Sequence, residues 1–311
     1  MRVQVGKQKN AMKKTVSLIM CGISLITAAY VKIAAEFEPT LFGHRISLDW
    51  TLKYVPGSFK RNWDAAKQGD ADAQCELGGY YYKGLGVAQD FEKAVEWFRK
   101  SAEQGFAAAQ HVLGLFYYGG KIIEKDFEKA AEWFTKAADQ GHADAQRYLG
   151  ACYYNGEGVE KDIVMAVEWL KKSAEQNNAG AQAELGACYY GGLGVEKDLA
   201  TAIMLIRKSA EQGYAAAQCA LGCCYYEGEG VEKDNATAVE WFTKAAEQGY
   251  ADAQGFLGCY YYLGENEEKD NATALEWFTK AAEQGDEEAA EMIKQIRAEE
   301  VQVGGTDEST P

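Results

Sequence analysis

The apolar positions of this chain recur with two periods at once. Over short stretches they fall three and four residues apart, which is one face of an α-helix. Along the chain the whole pattern returns every 36 residues, marked by a Leu-Gly dipeptide at Leu77, Leu113, Leu149, Leu185, Leu221 and Leu257. An alanine stands four residues before each leucine (Ala73 to Ala253) and a tyrosine four after (Tyr81 to Tyr261). This spacing predicts a first helix, helix A. A Gly-rich turn such as Gly84-Leu85-Gly86-Val87 follows, then an aspartate in every copy: Asp90, Asp126, Asp162, Asp198, Asp234 and Asp270. Aspartate suits the N-cap of a second helix, helix B. In the first copy helix B carries Ala94, Trp97, Phe98 and Ala102 and runs into Glu103-Gln104-Gly105. A glycine just past the last turn ends a helix, and Lys100 in that turn meets its negative end.

One such helix pair cannot bury its apolar stripe alone, so a fixed period of this size predicts stacked copies. Glycine inside a helix costs about 1 kcal/mol relative to alanine. The chain accepts that at Gly78, Gly114, Gly150, Gly186, Gly222 and Gly258, which predicts close helix–helix approach. The expected fold is all-α, a right-handed α-α superhelical solenoid of six 36-residue helix-turn-helix repeats over residues 69–284. Residues 58–68 and 285–300 are expected to form capping helices, 36–57 a linker and 301–311 a disordered tail.

The pattern A-x-x-x-L-G-x-x-Y, then G-x-G-V-x-x-D, then K-A-x-E-W-F-x-K-A-A-E-Q-G resembles the Sel1-like repeat family, itself similar to tetratricopeptide repeats. Local departures are Lys121-Ile122-Ile123 in the second turn, Leu205 in the tryptophan column, and Glu265-Asn266-Glu267 in the sixth turn. The resemblance implies a non-catalytic scaffold that binds segments of other proteins, commonly on the concave side lined by helix A.

At 100° per residue from the leucine, the helix A columns at −5, −2, −1, +2 and +6 fall opposite the core columns. They also differ between copies; at −2 they read Cys75, His111, Arg147, Ala183, Cys219 and Gly255. This face is expected to be solvent or partner surface, which makes His111 and Arg147 binding candidates. At +5, on the border, every copy has a second tyrosine: Tyr82, Tyr118, Tyr154, Tyr190, Tyr226 and Tyr262. Six rigid amphipathic rings suit peptide binding. The competing reading is that they close the groove between repeats.

Charge narrows the partners. The net charge is −15, yet residues 1–35 hold six basic residues and no acid, so the remainder is more acidic still. Such a surface repels phosphate backbones and excludes nucleic acid. Residues 15–31 are 17 uncharged, mostly apolar positions behind a basic start. They read as a signal peptide or as an N-terminal membrane anchor. Either places the repeats outside the cytoplasm, in a bacterial periplasm or cell envelope, with the membrane met only through this segment. The alternative is cytoplasmic. Free cysteines sit awkwardly with export to an oxidising space.

Cys152, Cys188 and Cys224 share a column at the edge of the core, whereas Cys75, Cys219, Cys223 and Cys259 are expected on the variable face. A minor alternative is a thiol redox or metal-binding role for Cys219, Cys223 and Cys259, but their spacing matches no zinc pattern, and His44, His111 and His142 form no ligand set and read as surface residues. No metal or cofactor is expected. Some cysteine-rich relatives are labelled β-lactamases, a chemistry that needs Ser-x-x-Lys. The chain has none, Ser58-Phe59-Lys60-Arg61 being the nearest. Asn235-Ala236-Thr237 and Asn271-Ala272-Thr273 are formal glycosylation sequons, and more simply the first turn of helix B.

Overall fold

The computed structural model describes residues 58–264 and 269–304. The N-terminal apolar segment, the 36–57 linker, the Glu265-Asn266-Glu267 turn and residues 305–311 lie outside the described residues, while residues 301–304, expected in a disordered tail, continue the last helix to Gly304. All fourteen elements among the described residues are α-helices: α1 Ser58–Lys67, α2 Ala71–Lys83, α3 Phe91–Glu103, α4 Ala107–Gly119, α5 Phe127–Asp139, α6 Ala143–Asn155, α7 Ile163–Glu175, α8 Ala179–Gly191, α9 Leu199–Glu211, α10 Ala215–Glu227, α11 Asn235–Glu247, α12 Ala251–Leu263, α13 Asn271–Glu283 and α14 Glu287–Gly304. Even-numbered helices are helix A and odd-numbered ones helix B. The chain divides into two compact units, with the boundary in the sequence between Lys197 and Asp198. The first holds α1–α8 and the second α9–α14, so the boundary falls inside the fourth repeat. In each unit every helix packs on the next in sequence.

Local chemistry sets the helix ends. Asp126 is extended at φ −151°, and its carboxylate accepts from the Lys129 backbone N–H at 3.0 Å. The same cap opens helix B in each copy. Helix A stops at a left-handed glycine such as Gly156, φ 78°, whose N–H donates to the Cys152 carbonyl. The second turn glycine permits close approach: a Cβ at Gly158 would stand 1.9 Å from the Phe127 carbonyl oxygen. In the second copy Ile122 replaces that glycine, yet both flanking helices keep 13 residues.

The leucine column forms the centre of the core, with Leu77, Leu113, Leu149, Leu221 and Leu257 fully buried. Gly78, Gly114, Gly222 and Gly258 lie under the phenylalanine rings of helix B. A Cβ would come within 2.8 Å of Phe98 at Gly78, 2.5 Å of Phe134 at Gly114 and 2.6 Å of Phe278 at Gly258. The tryptophans of helix B, by contrast, are mostly half-buried. Each carries a lysine three residues on over its ring, from 3.7 Å at Lys172 on Trp169 to 4.4 Å at Lys100 on Trp97.

Candidate functional site

The helix A face was expected to be open, and this is corrected by the structure. Cys75, His111, Cys219 and Cys259 are all buried, and Arg147 and Cys223 are partly covered. The physical reason is a register between copies: position −2 of one helix A packs against position −1 of the next. His111 meets Tyr148 with ring centroids 5.5 Å apart. Arg147 donates to Glu184 at 2.6 Å. Cys75 shares a cluster with Val112, and Cys219 shares one with Phe256. A helical wheel shows the face turned from helix B but not the next copy lying against it.

His111 and Arg147 are therefore joint residues. His111 is 4% exposed and packs on His142 and Phe134 at 4.8 and 6.0 Å. Burial first, then His142 and Arg147, hold its pKa well below the usual value. The Arg147 guanidinium also lies 4.5 Å over the Tyr148 ring. Glu184 is buried, which raises its pKa, and Arg147 partly offsets that.

The +5 tyrosines divide. Tyr118, Tyr190 and Tyr262 are buried, whereas Tyr82, Tyr154 and Tyr226 are half-buried. Tyr118 sits edge-on to Phe127 at 5.1 Å and donates to Glu157 at 2.5 Å. Burial and that bond push its hydroxyl up. Tyr262 donates to Glu299 at 2.7 Å. Tyr82 stacks on Phe116 at 5.8 Å and lies 5.6 Å from Phe91, and burial pushes its hydroxyl up to about 12. From the third copy on, the lysine before the helix B cap lies over the ring: Lys161 on Tyr154 at 5.6 Å, Lys197 on Tyr190 at 5.4 Å, Lys233 on Tyr226 at 5.0 Å and Lys269 on Tyr262 at 3.9 Å. What remains accessible on helix A is its rims. Asp72, Lys83, Gly191 and Glu227 are exposed at −5 or +6, and Asp144, Asn155, Ala216 and Asp252 are half-exposed there.

A glutamine ladder escaped the sequence reading. Position −3 is glutamine in every copy and buried in every copy. Gln146 Nε2 donates to the Ala138 carbonyl at 3.1 Å, and its Oε1 accepts from Gln176 Nε2 at 2.7 Å. The same pair of bonds recurs at Gln74, Gln110, Gln218 and Gln254. The available signal was its invariance between the Ala and Leu core columns, since buried polar groups keep their partners.

Among the described residues no cysteine forms a disulfide. Burial pushes the thiols of Cys152, Cys188 and Cys224 up to about 12, which makes them poor nucleophiles. Among the described residues no helix is long and apolar enough to cross a membrane. Nor does any group of three His, Cys, Asp or Glu there offer a metal site.

A 36-residue helix pair with this turn, cap and glycine–ring contact can be compared with known proteins. The Sel1 repeat family model matches six consecutive segments: 71–106, 107–142, 143–178, 179–214, 215–250 and 251–286. The chain belongs to the Sel1 repeat family. Members of that family generally mediate protein–protein interaction. A Sel1 repeat protein from Oxalobacter formigenes is similar at 38% identity and TM-score 0.67, over 76% of this chain and 68% of that one. A protective antigen of uropathogenic Escherichia coli strains, displaying an SLR fold, is similar at 36% identity and TM-score 0.66. That match covers 76% of this chain, which spans only 51% of the antigen. A search of curated proteins returned no match.

Proposed function

We propose that this Sel1 repeat protein is a non-catalytic scaffold that binds segments of partner proteins along the helix A rims, and that its N-terminal segment exports it or tethers it to a membrane. One observation carries the binding reading. The leucine, alanine and glutamine columns of the core repeat from copy to copy, whereas the accessible +6 rim does not, reading Lys83, Asn155, Gly191 and Glu227; the −5 rim is mostly acidic, with Asp72, Asp144 and Asp252 beside Ala216. Residues released from packing and varied in charge suit the recognition of a sequence. The half-buried Tyr82, Tyr154 and Tyr226 border the same rim and offer ring edges beside lysines. His111 and Arg147 act indirectly by holding neighbouring helix A elements in register.

Site-specific photo-crosslinking in the native host tests this. A photoreactive residue at 83, 155 or 227 is expected to capture a discrete partner, and one at the helix B positions 96, 132 or 240 is not. The reverse pattern would place the partner on helix B and sink the reading. Fractionation with N-terminal sequencing of the mature chain separates cleaved export from anchoring.

A further inference from the structure

Position −2 holds cysteine, alanine or glycine in four of the six copies. The second copy places His111 there, at the contact of α4 with α6. Its ring is 4% exposed and its Nε2 has no hydrogen-bond partner among the described residues. A buried polar atom left unpaired is uncommon in a folded protein and costs about 1–3 kcal/mol. We infer that the contact between the second and third repeats is a proton-sensitive joint, closed while His111 is neutral and opened when the imidazole takes up a proton.

The surroundings favour only the neutral ring. His142, the N-cap of α6, stands 4.8 Å away, and Arg147 and Tyr148 of α6 lie beside the ring. Arg147 carries a fixed positive charge, and a second imidazolium at 4.8 Å would repel the first. The carboxylates nearby are otherwise engaged: Glu184 of α8 pairs with Arg147 at 2.6 Å, and Asp144 of α6 accepts from Asn178 at 2.7 Å. From α5 the ring meets Phe134 at 6.0 Å, while Glu128, Lys129, Glu132, Lys136 and Asp139 are exposed. The charged side chains of α3, which also packs on α4, are exposed as well, and α4 itself carries no charge. A proton on His111 thus finds cations and rings, not a partner.

The sign of the linkage follows. The folded value lies well below the usual 6.5. Stability is therefore fully present above about 6.5 and is lost as pH falls from there toward the folded value. At pH 5.5 the open form gains by a factor of about ten. Glu184, raised by burial, shifts stability the opposite way, whereas His142, also lowered by burial, shifts it the same way as His111, so single variants of the two histidines must separate them.

Hydrogen exchange of the full chain at pH 7.5 and 5.5, corrected for the chemical rate, tests the joint. Opening of amides in α4 and α6 is expected to rise about tenfold. In α10 and α12, whose unit contains no histidine among its described residues, it should change less than about twofold. His111→Cys, the residue of two other copies, is expected to abolish the rise. His142→Asn, which keeps a capping acceptor as Asn178 does, is expected to retain it. The inference is overturned if α4 and α6 respond no more than α10 and α12. It also fails if His111→Cys keeps the rise or His142→Asn removes it. Should His111→Cys not fold, the rise measured in His142→Asn still decides, because His111 is then the remaining histidine of the joint.

Discussion

At the scale of single residues, two contacts set the tolerance of the fold. The interior glycines are not equivalent. A Cβ at Gly114 would overlap the Phe134 ring at 2.5 Å, whereas at Gly150 the nearest atoms, on Ala166 and Leu170, stand at 3.2 Å. Gly114→Ala is expected to lose about 1–3 kcal/mol through overpacking. Gly150→Ala should stay within about 1 kcal/mol of the parent, because helix propensity offsets the milder squeeze. Urea titration of both variants checks the order. The Arg147–Glu184 pair behaves differently. Arg147→Met leaves a buried carboxylate uncompensated and is expected to cost about 3–5 kcal/mol at pH 7. Burial raises the Glu184 pKa above 4.5, so that penalty applies above about 4.5 and disappears below it. A double change, Arg147→Met with Glu184→Leu, should recover most of the loss.

At the scale of the element, caps and ladders define the helix pair. The capping carboxylates of Asp90 and Asp126 are held below their usual range, first by the lysine three residues on and then by its backbone N–H. Those of Asp198, Asp234 and Asp270 are held down by a threonine in the same place. Depressed carboxylates stabilise above about pH 3.9 and lose that contribution as pH falls through the folded value. Helicity followed by circular dichroism should therefore drop below about pH 4, and Asp126→Asn, which keeps an acceptor without the charge, should drop less. The glutamine ladder is expected to matter more than any single cap. Gln146→Leu removes two hydrogen bonds, to the Ala138 carbonyl and from the Gln176 amide, for an expected loss of about 1–3 kcal/mol by chemical denaturation. The caps were legible from the recurring aspartate. The ladder was hidden because its partners lie eight and thirty residues away, on two other helices.

At the scale of the molecule, the repeat is the unit of stability. Each helix pair contacts its sequence neighbours within a compact unit, as a nearest-neighbour array does. Deleting residues 215–250, one full copy, is expected to leave helicity per residue unchanged and to lower the denaturant slope in proportion to the lost surface. A collapse of helicity would refute the array description.

The sequence alone determined what one helix pair needs. The leucine, alanine, glycine and tyrosine columns follow from the 3.6-residue turn and from one partner helix. The aspartate and glycine punctuation follows from backbone chemistry that acts within a few residues. Only the tertiary structure decided the second helix A face. Whether Cys75, His111 or Arg147 meets water depends on how closely the next copy lies against it. The meeting of position −2 with position −1 across successive copies is a distance between helices, and no periodicity within one helix records it.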